Sequence, residues 1–214
     1  MRSIRSTPAL LLLLVATPRP VSGQTALELF QEALALVRER LQIRGMDHAE
    51  SVRFRDKSVM KDALRAQGLP CAQHHLATDA ASALSFARGT MPLVAKPPAG
   101  AGARDTFRVD EVAQLESWMG SNPPSPQRPL LLEEFVQGRE FSFDSVSVGG
   151  RHLFHSISEY SPTPLQVMES PWIQWTVMLP RDISGPEYAP ILSAGPRALE
   201  ALGMVSGMTH MEWF

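Results

Sequence analysis

The segment from Leu130 to Asp144, LLLEEFVQGREFSFD, restricts the fold more than any other part of the chain. Its three leucines suit a buried strand, and the apolar run stops at the acid pair Glu133 and Glu134. Phe135 and Val136 add a short apolar step, and Gly138 supplies a turn. From Glu140 the pattern changes to alternation, with Phe141 and Phe143 on one face and Val146 and Val148 on the other. A strand, a hinge and a second strand opening on an acid suit a nucleotide. Backbone groups at the hinge can read an adenine edge, and the Glu140 carboxylate can accept both ribose hydroxyls.

The region before this segment alternates helix and strand. Apolar residues at Leu27, Phe30, Leu34, Val37 and Leu41 form a helical stripe over 25–43, closed by Gly45. Asp56 is the expected cap of a helix over 57–67, and Gly68 and Pro70 end it. Thr78 is the expected cap of a third helix, ending at Gly89. Met91–Lys96 reads as a short strand. The small-residue loop that follows, with Gly100 and Gly102, lets backbone N–H groups approach phosphate oxygens, and Lys96 adds a point charge. No Gly-Lys-Ser/Thr follows, so it is not a Walker A loop. Asp110 is the expected cap of a helix carrying Val112, Leu115, Trp118 and Met119.

Strands dominate the later half. Gly149–Gly150 reads as a two-residue hairpin turn between 141–148 and 151–158. Residues 161–180 read as an irregular, proline-punctuated loop. A helix over 186–202 should kink at Gly195–Pro196 and end at Gly203, before a last strand over 209–213. His210 and Glu212 share a face of that strand. His152 and His155, three apart, should face opposite sides and make a poor metal pair. His74 and His75 read as solvated loop histidines, and Cys71 as structural.

The charge of −2 and the absence of a basic run exclude nucleic-acid binding as the expected function. A lone cysteine forms no intrachain disulfide and points to a reducing compartment. The expected location is therefore cytoplasmic. Residues 1–24 complicate this: two arginines, a leucine run and then Pro18 and Pro20 look like a secretory leader or a mis-started segment. Export is the alternative they leave open, and the run is too short to span a bilayer.

Several motifs together carry a resemblance. Arg55-Asp-Lys57, Gly68-Leu-Pro70, Val94-Ala-Lys-Pro97, Glu133 to Glu140, His155 to Tyr160 and His210 to Phe214 look like the ATP-grasp superfamily, in its carboxylate–amine ligase branch. The likeness runs over 25–214. It implies an α+β fold of two subdomains clasping ATP, incomplete in this chain. It divides the chain into a connecting helix region (25–55), a small subdomain (56–129) and a truncated large subdomain (130–214). It gives Lys57 and Lys96 the ATP phosphates, under a lid over 98–106 with Gly100 and Gly102. It puts Glu133 at the adenine amino group, beside Glu134 and the backbone of Phe135 and Val136. Glu140 would hold the ribose and Glu212 would bind Mg²⁺. Ser156, Ser158, Glu159 and Tyr160 would face a substrate. The implied chemistry joins a small-molecule carboxylate to an amine through an acylphosphate.

The resemblance also implies a second metal acid beyond residue 214. Three readings follow: an inactive fragment of a ligase, a nucleotide-binding module completed by a separate partner chain, or a non-catalytic exported protein. The acid, the amine and the oligomeric state have no signature in the sequence.

Overall fold

A computed structural model describes residues 23–99, 105–170, 172–174 and 176–214. Within them the strands form two four-stranded antiparallel sheets. The first has the order β1 (His74–Ala77), β4 (Leu130–Glu134), β2 (Leu93–Lys96), β3 (Phe107–Val109). The interior place of β4 accounts for its unbroken leucines: Leu130, Leu131 and Leu132 are all buried. Helices α4 (Ala80–Ala87) and α5 (Val112–Ser121) cover this sheet through Ala83, Ala87, Leu115 and Met119. Because β4 pairs here, the sheet boundary lies between Glu134 and Glu140 and does not coincide with the division drawn at 129/130.

The second sheet has the order β7 (Thr176–Met178), β6 (Arg151–Ser161), β5 (Glu140–Val148), β8 (Gly207–Trp213). The β5–β6 hairpin turns on Gly149 and Gly150, whose φ angles of 57° and 75° both require the left-handed region. One face of the sheet carries Phe141, Phe143, Ile157 and Met211 and packs on α7 (Ala189–Leu202) through Tyr188, Ile191 and Leu199. Gly195 of α7 lies against the Phe143 ring, where an added Cβ would stand 2.8 Å from ring carbons. Pro196 lies inside the helix, and Gly203 (φ 78°) ends it.

Helices α1 (Gly23–Leu41), α2 (His48–Arg55) and α3 (Lys57–Ala66) lead into the sheets. Asp47 and Glu50 form a capping box on α2, and Asp56 closes α2 and caps α3. Arg53 Nε donates to the Leu202 carbonyl at 2.8 Å, and Leu69 packs on Ala194 and Ala198, which fixes α2 and α3 to α7. The apolar stripe of α1 forms as expected, but Phe30, Leu34, Val37 and Leu41 face solvent. Ala35, on the other side of the helix, is buried. No helix among the described residues is long and apolar enough to cross a membrane.

Several local expectations are corrected. Asp79, not Thr78, caps α4, accepting from Ser82 N at 2.8 Å. The helix expected behind Asp110 starts after Glu111, and the Gln114 side chain accepts from both Asp110 N and Glu111 N. Residues 161–180 hold a short helix, α6 (Pro164–Glu169), and β7. His74 and His75 lie in β1: the His74 side chain is almost fully buried, and the His75 ring stacks on Phe86.

His152 and His155 do not face opposite sides. The ladder shifts register between Val146 and Ser147, so Ser145 pairs with His155 and Ser147 with His152. Leu153 is the extra residue of this bulge, and a spacing of three therefore acts as a spacing of two. The two rings meet at Nε2 and Nδ1, 3.1 Å apart, beside Phe143.

Candidate functional site

Antiparallel pairing sorts the second sheet by face. Glu140, Ser142 and Asp144 of β5 project away from α7. Their cross-strand partners are Tyr160, Ser158 and Ser156 on β6, with Glu212 opposite Ser142 and His210 opposite Asp144 on β8. One face is therefore the apolar core, and the other is a polar floor. The strict alternation read from the sequence produces both.

Cations reach this floor from the first sheet and from α3. Lys96 is the last residue of β2, and its Nζ lies 2.8 Å from Glu133 Oε2. Lys61, one turn after Lys57 on α3, places its Nζ 3.5 Å from Glu133 Oε1. Glu133 is only 7% exposed. Burial pushes its carboxyl up, but Lys96 and Lys61 together outweigh burial and hold it below its ordinary range. Lys57 sits at the start of α3, where its backbone N–H donates to the Pro98 carbonyl at 2.9 Å. Burial, and then the neighbouring Lys96 charge, draw the Lys57 ammonium below its ordinary value, while Glu212 and Glu133 act in the opposite direction.

On the facing side, Glu140 is buried and its carboxyl is pushed up to about 7. Burial is the main cause, the Glu212 charge adds to it, and Lys96 opposes both. Lys57 and Lys96 thus feel Glu212 and Glu140 across one cleft. It holds crowded cations on one side and crowded carboxylates on the other. A polyanion with a bound divalent cation would relieve both crowds at once. The same crowding is the test of fit for magnesium. Glu212 supplies a hard oxygen donor, and Mg²⁺ uses one or two carboxylates together with phosphate oxygens. Among the described residues no group of three or more His, Cys, Asp or Glu side chains could hold a metal by itself.

Further along the floor, His210 Nδ1 lies 2.6 Å from Asp144 Oδ1, and Ser142 Oγ donates to Asp144 Oδ2 at 2.8 Å. Burial raises the Asp144 carboxyl, but the His210 and Ser142 hydrogen bonds outweigh it and keep it below its ordinary range. Burial leads the causes that raise the Tyr160 hydroxyl.

The cleft brings together Lys57, Lys96, Glu133, Glu140 and Glu212. The hinge residues have other duties. Glu134 Oε1 accepts from Gln73 N, and Glu134 N donates to Gln73 O, both at 2.9 Å, so this side chain ties β4 to the entry of β1. Phe135 N donates to the Pro92 carbonyl at 3.0 Å, and Arg108 lies over the Phe135 ring. Val136 is partly exposed. Gly100 and Gly102 lie outside the described residues. Glu159 departs from the expected substrate face: it pairs with Phe141 on β5 and binds Arg139 through two hydrogen bonds of 2.8 and 2.7 Å. Ser156, Ser158 and Tyr160 do lie on the floor.

Two participants escaped the sequence reading. Lys61 was legible as the residue four after Lys57 on one helix face. Asp144 was legible as the fourth residue after Glu140 on an alternating strand.

No protein-family model matches the sequence. Solved structures do resemble it. An L-amino acid ligase from Bacillus licheniformis matches with a TM-score of 0.69 and 22% identity, over 86% of this chain and 43% of that one. A D-alanine–D-alanine ligase from Coxiella burnetii matches at 0.63 and 21%, over 86% and 51%. A carboxyaminoimidazole ribonucleotide synthase from Aspergillus clavatus, solved with ATP, matches at 0.65 and 16%, over 84% and 47%. The chain spans about half the length of these proteins. What they share with it is the fold: two antiparallel α+β units around a cleft.

Proposed function

We propose that this chain, built on the ATP-grasp fold, binds Mg-ATP in the cleft between its two sheets and serves the formation of an amide-type bond. The observation that carries the reading is the half-buried pair Lys57 and Lys96, from α3 and β2, on the side of the cleft that faces Glu140 and Glu212. In this reading both lysines bind the phosphates, and Glu140 takes the ribose hydroxyls. Glu133, with the backbone of Glu134, Phe135 and Val136, borders the adenine. Glu212 would hold Mg²⁺, which supplies charge neutralisation at the transferred phosphoryl group.

The reaction proposed is carboxylate activation. A substrate carboxylate oxygen attacks the γ-phosphorus and ADP departs. An amine nitrogen then attacks the acyl carbon, the acyl C–O bond breaks, and inorganic phosphate leaves as the nitrogen loses a proton. Residues of this chain contribute position and charge, which is where catalysis of phosphoryl transfer mainly resides. The test is calorimetric titration of the full chain with Mg-ATP. Binding should occur, and Lys57→Ala or Lys96→Ala should weaken it by about tenfold to a hundredfold, the loss of one charge-assisted contact. Absence of binding to the wild type overturns the reading.

A second reading is a nucleotide-binding module completed by a separate partner chain. It is favoured by the small donor set around Glu212, which falls short of three metal-binding side chains among the described residues. It expects Mg-ATP binding without phosphate release when carboxylates and amines are supplied.

A further inference from the structure

The carboxylates of the cleft divide into two kinds. Glu133 is held by Lys96 and Lys61, Glu140 feels the Lys96 charge, and Glu212 acts on Lys57. Asp144 is of the other kind. Its partners are Ser142 Oγ at 2.8 Å and His210 Nδ1 at 2.6 Å, and His210 is a cation only when protonated. Among the described residues no lysine or arginine is one of the groups that act on it. Asp144 keeps its charge all the same, because its two hydrogen bonds outweigh burial. It is therefore a carboxylate without a fixed counter-charge, on the floor of a cleft whose other acids face lysines. Its side chain is 37% exposed and Ser156, opposite it, is half-buried, whereas Ser142 and Ser158, in the row of Glu212, are buried. The Asp144 row is the part of the floor that a ligand can reach.

We propose that Asp144 seats the ammonium group of the amine substrate, with the Ser156 hydroxyl beside it. The inference rests on the nucleotide reading above, which places the metal and the transferred phosphoryl group at Glu212. Ser142 stands directly opposite Glu212, so Asp144, two residues further along β5, is the diagonal neighbour of Glu212, about 7–8 Å away. The reaction spans a similar distance. A metal at Glu212 lies about 2.1 Å from its oxygen ligands. One bridging oxygen separates the phosphorus from the acyl carbon, and a nitrogen ready to attack stands about 3–3.5 Å from that carbon. Charge selects the ligand. The Lys57–Lys96 side of the cleft repels an ammonium, and Asp144 attracts it, so the cation settles one row beyond the metal. A neutral alcohol gains nothing from the same carboxylate, which favours an amine as the acceptor.

The test uses the full chain with Mg²⁺ and a non-hydrolysable ATP analogue, titrated with ethylammonium chloride and followed by saturation-transfer NMR, with ethanol as the neutral control. The loaded wild type should bind ethylammonium and not ethanol. The ethyl protons should show a nuclear Overhauser effect to the His210 ring, a readout that needs no variant. Asp144→Asn should weaken ethylammonium binding by about tenfold or more, the loss of one charge-assisted contact. Asp144→Glu, which restores the charge, should recover part of it. Binding of the analogue by each variant reports that it is folded. The inference is overturned if the loaded wild type does not bind ethylammonium, or binds it without the contact to His210. It is overturned equally if Asp144→Asn binds ethylammonium as the wild type does, or if that variant instead raises the Mg²⁺ concentration needed for the analogue, which would make Asp144 a metal ligand. If the wild type fails to bind the analogue, the nucleotide reading fails first and the inference falls with it.

Discussion

Glu133 shows how a single side chain decides the character of the cleft. It is buried, carries its charge, and is held by two lysines from different elements. Lys96→Ala removes the shorter of its two charge-assisted contacts and leaves Lys61, so it should destabilise the fold by about 1.5–3 kcal/mol. The urea midpoint measures this, and Lys96→Ala/Glu133→Gln should recover part of the loss, because the under-paired charge is then gone. Glu140 gives the complementary case. With its carboxyl raised to about 7, it is largely protonated at pH 6 in the free protein. Ribose hydroxyls donate best to the ionised form. ATP binding should therefore release a proton near pH 6, and affinity should rise with pH up to about 7 and then level. Calorimetry in buffers of different ionisation enthalpy detects that proton, and Glu140→Gln should abolish it. An equal proton count in wild type and variant would refute the assignment.

At the scale of elements, α7 is fixed to its sheet by the absence of a side chain. Gly195→Ala would raise helix propensity by about 1 kcal/mol. The new Cβ would meet the Phe143 ring at 2.8 Å, however, and overpacking costs about 1–3 kcal/mol. The net change should be destabilising, and Phe143→Leu in the same chain should reduce it. The β5–β6 bulge makes a second prediction. Burial, and then the neighbouring His155, lower the His152 pKa in the folded state. The unfolded chain therefore takes up its proton first. This contribution to stability is present above about pH 6.5 and is lost as pH falls below it. His155→Asn should flatten that loss in denaturant titrations at successive pH values. These two elements also show what sequence can and cannot disclose. Strand alternation and the doublet Gly149–Gly150 made the hairpin legible. The bulge was not legible, because Leu153 looks like any other strand residue and only pairing reveals that it is extra. Strand β1 was missed for a similar reason: His74 and His75 are polar by composition, and only α4 and the Asp62 contact make their burial favourable. Lys96 and Glu140 stood out in the sequence as charges at strand ends, whereas Lys57 came only with the family resemblance. Lys61, four residues after Lys57, was not singled out.

Across the whole molecule, the cleft charges come from three places: α3, the first sheet and the second sheet. A ligand touching all of them couples their stabilities. Mg-ATP at about one hundred times its dissociation constant should stabilise the protein by about 2.7 kcal/mol. ATP with a chelator should do much less, because the Glu140–Glu212 crowding then persists. Thermal unfolding with each addition separates the two, and equal shifts would argue against a metal at Glu212. One bond described above has a mechanical meaning. The Lys57 backbone N–H is held by the carbonyl of Pro98, two residues after Lys96. The start of α3 and the end of β2 are thereby pinned to each other, while α3 is also packed on α7 beneath the second sheet. In the reading proposed above, this one backbone bond would set the spacing of the two lysines along a phosphate chain.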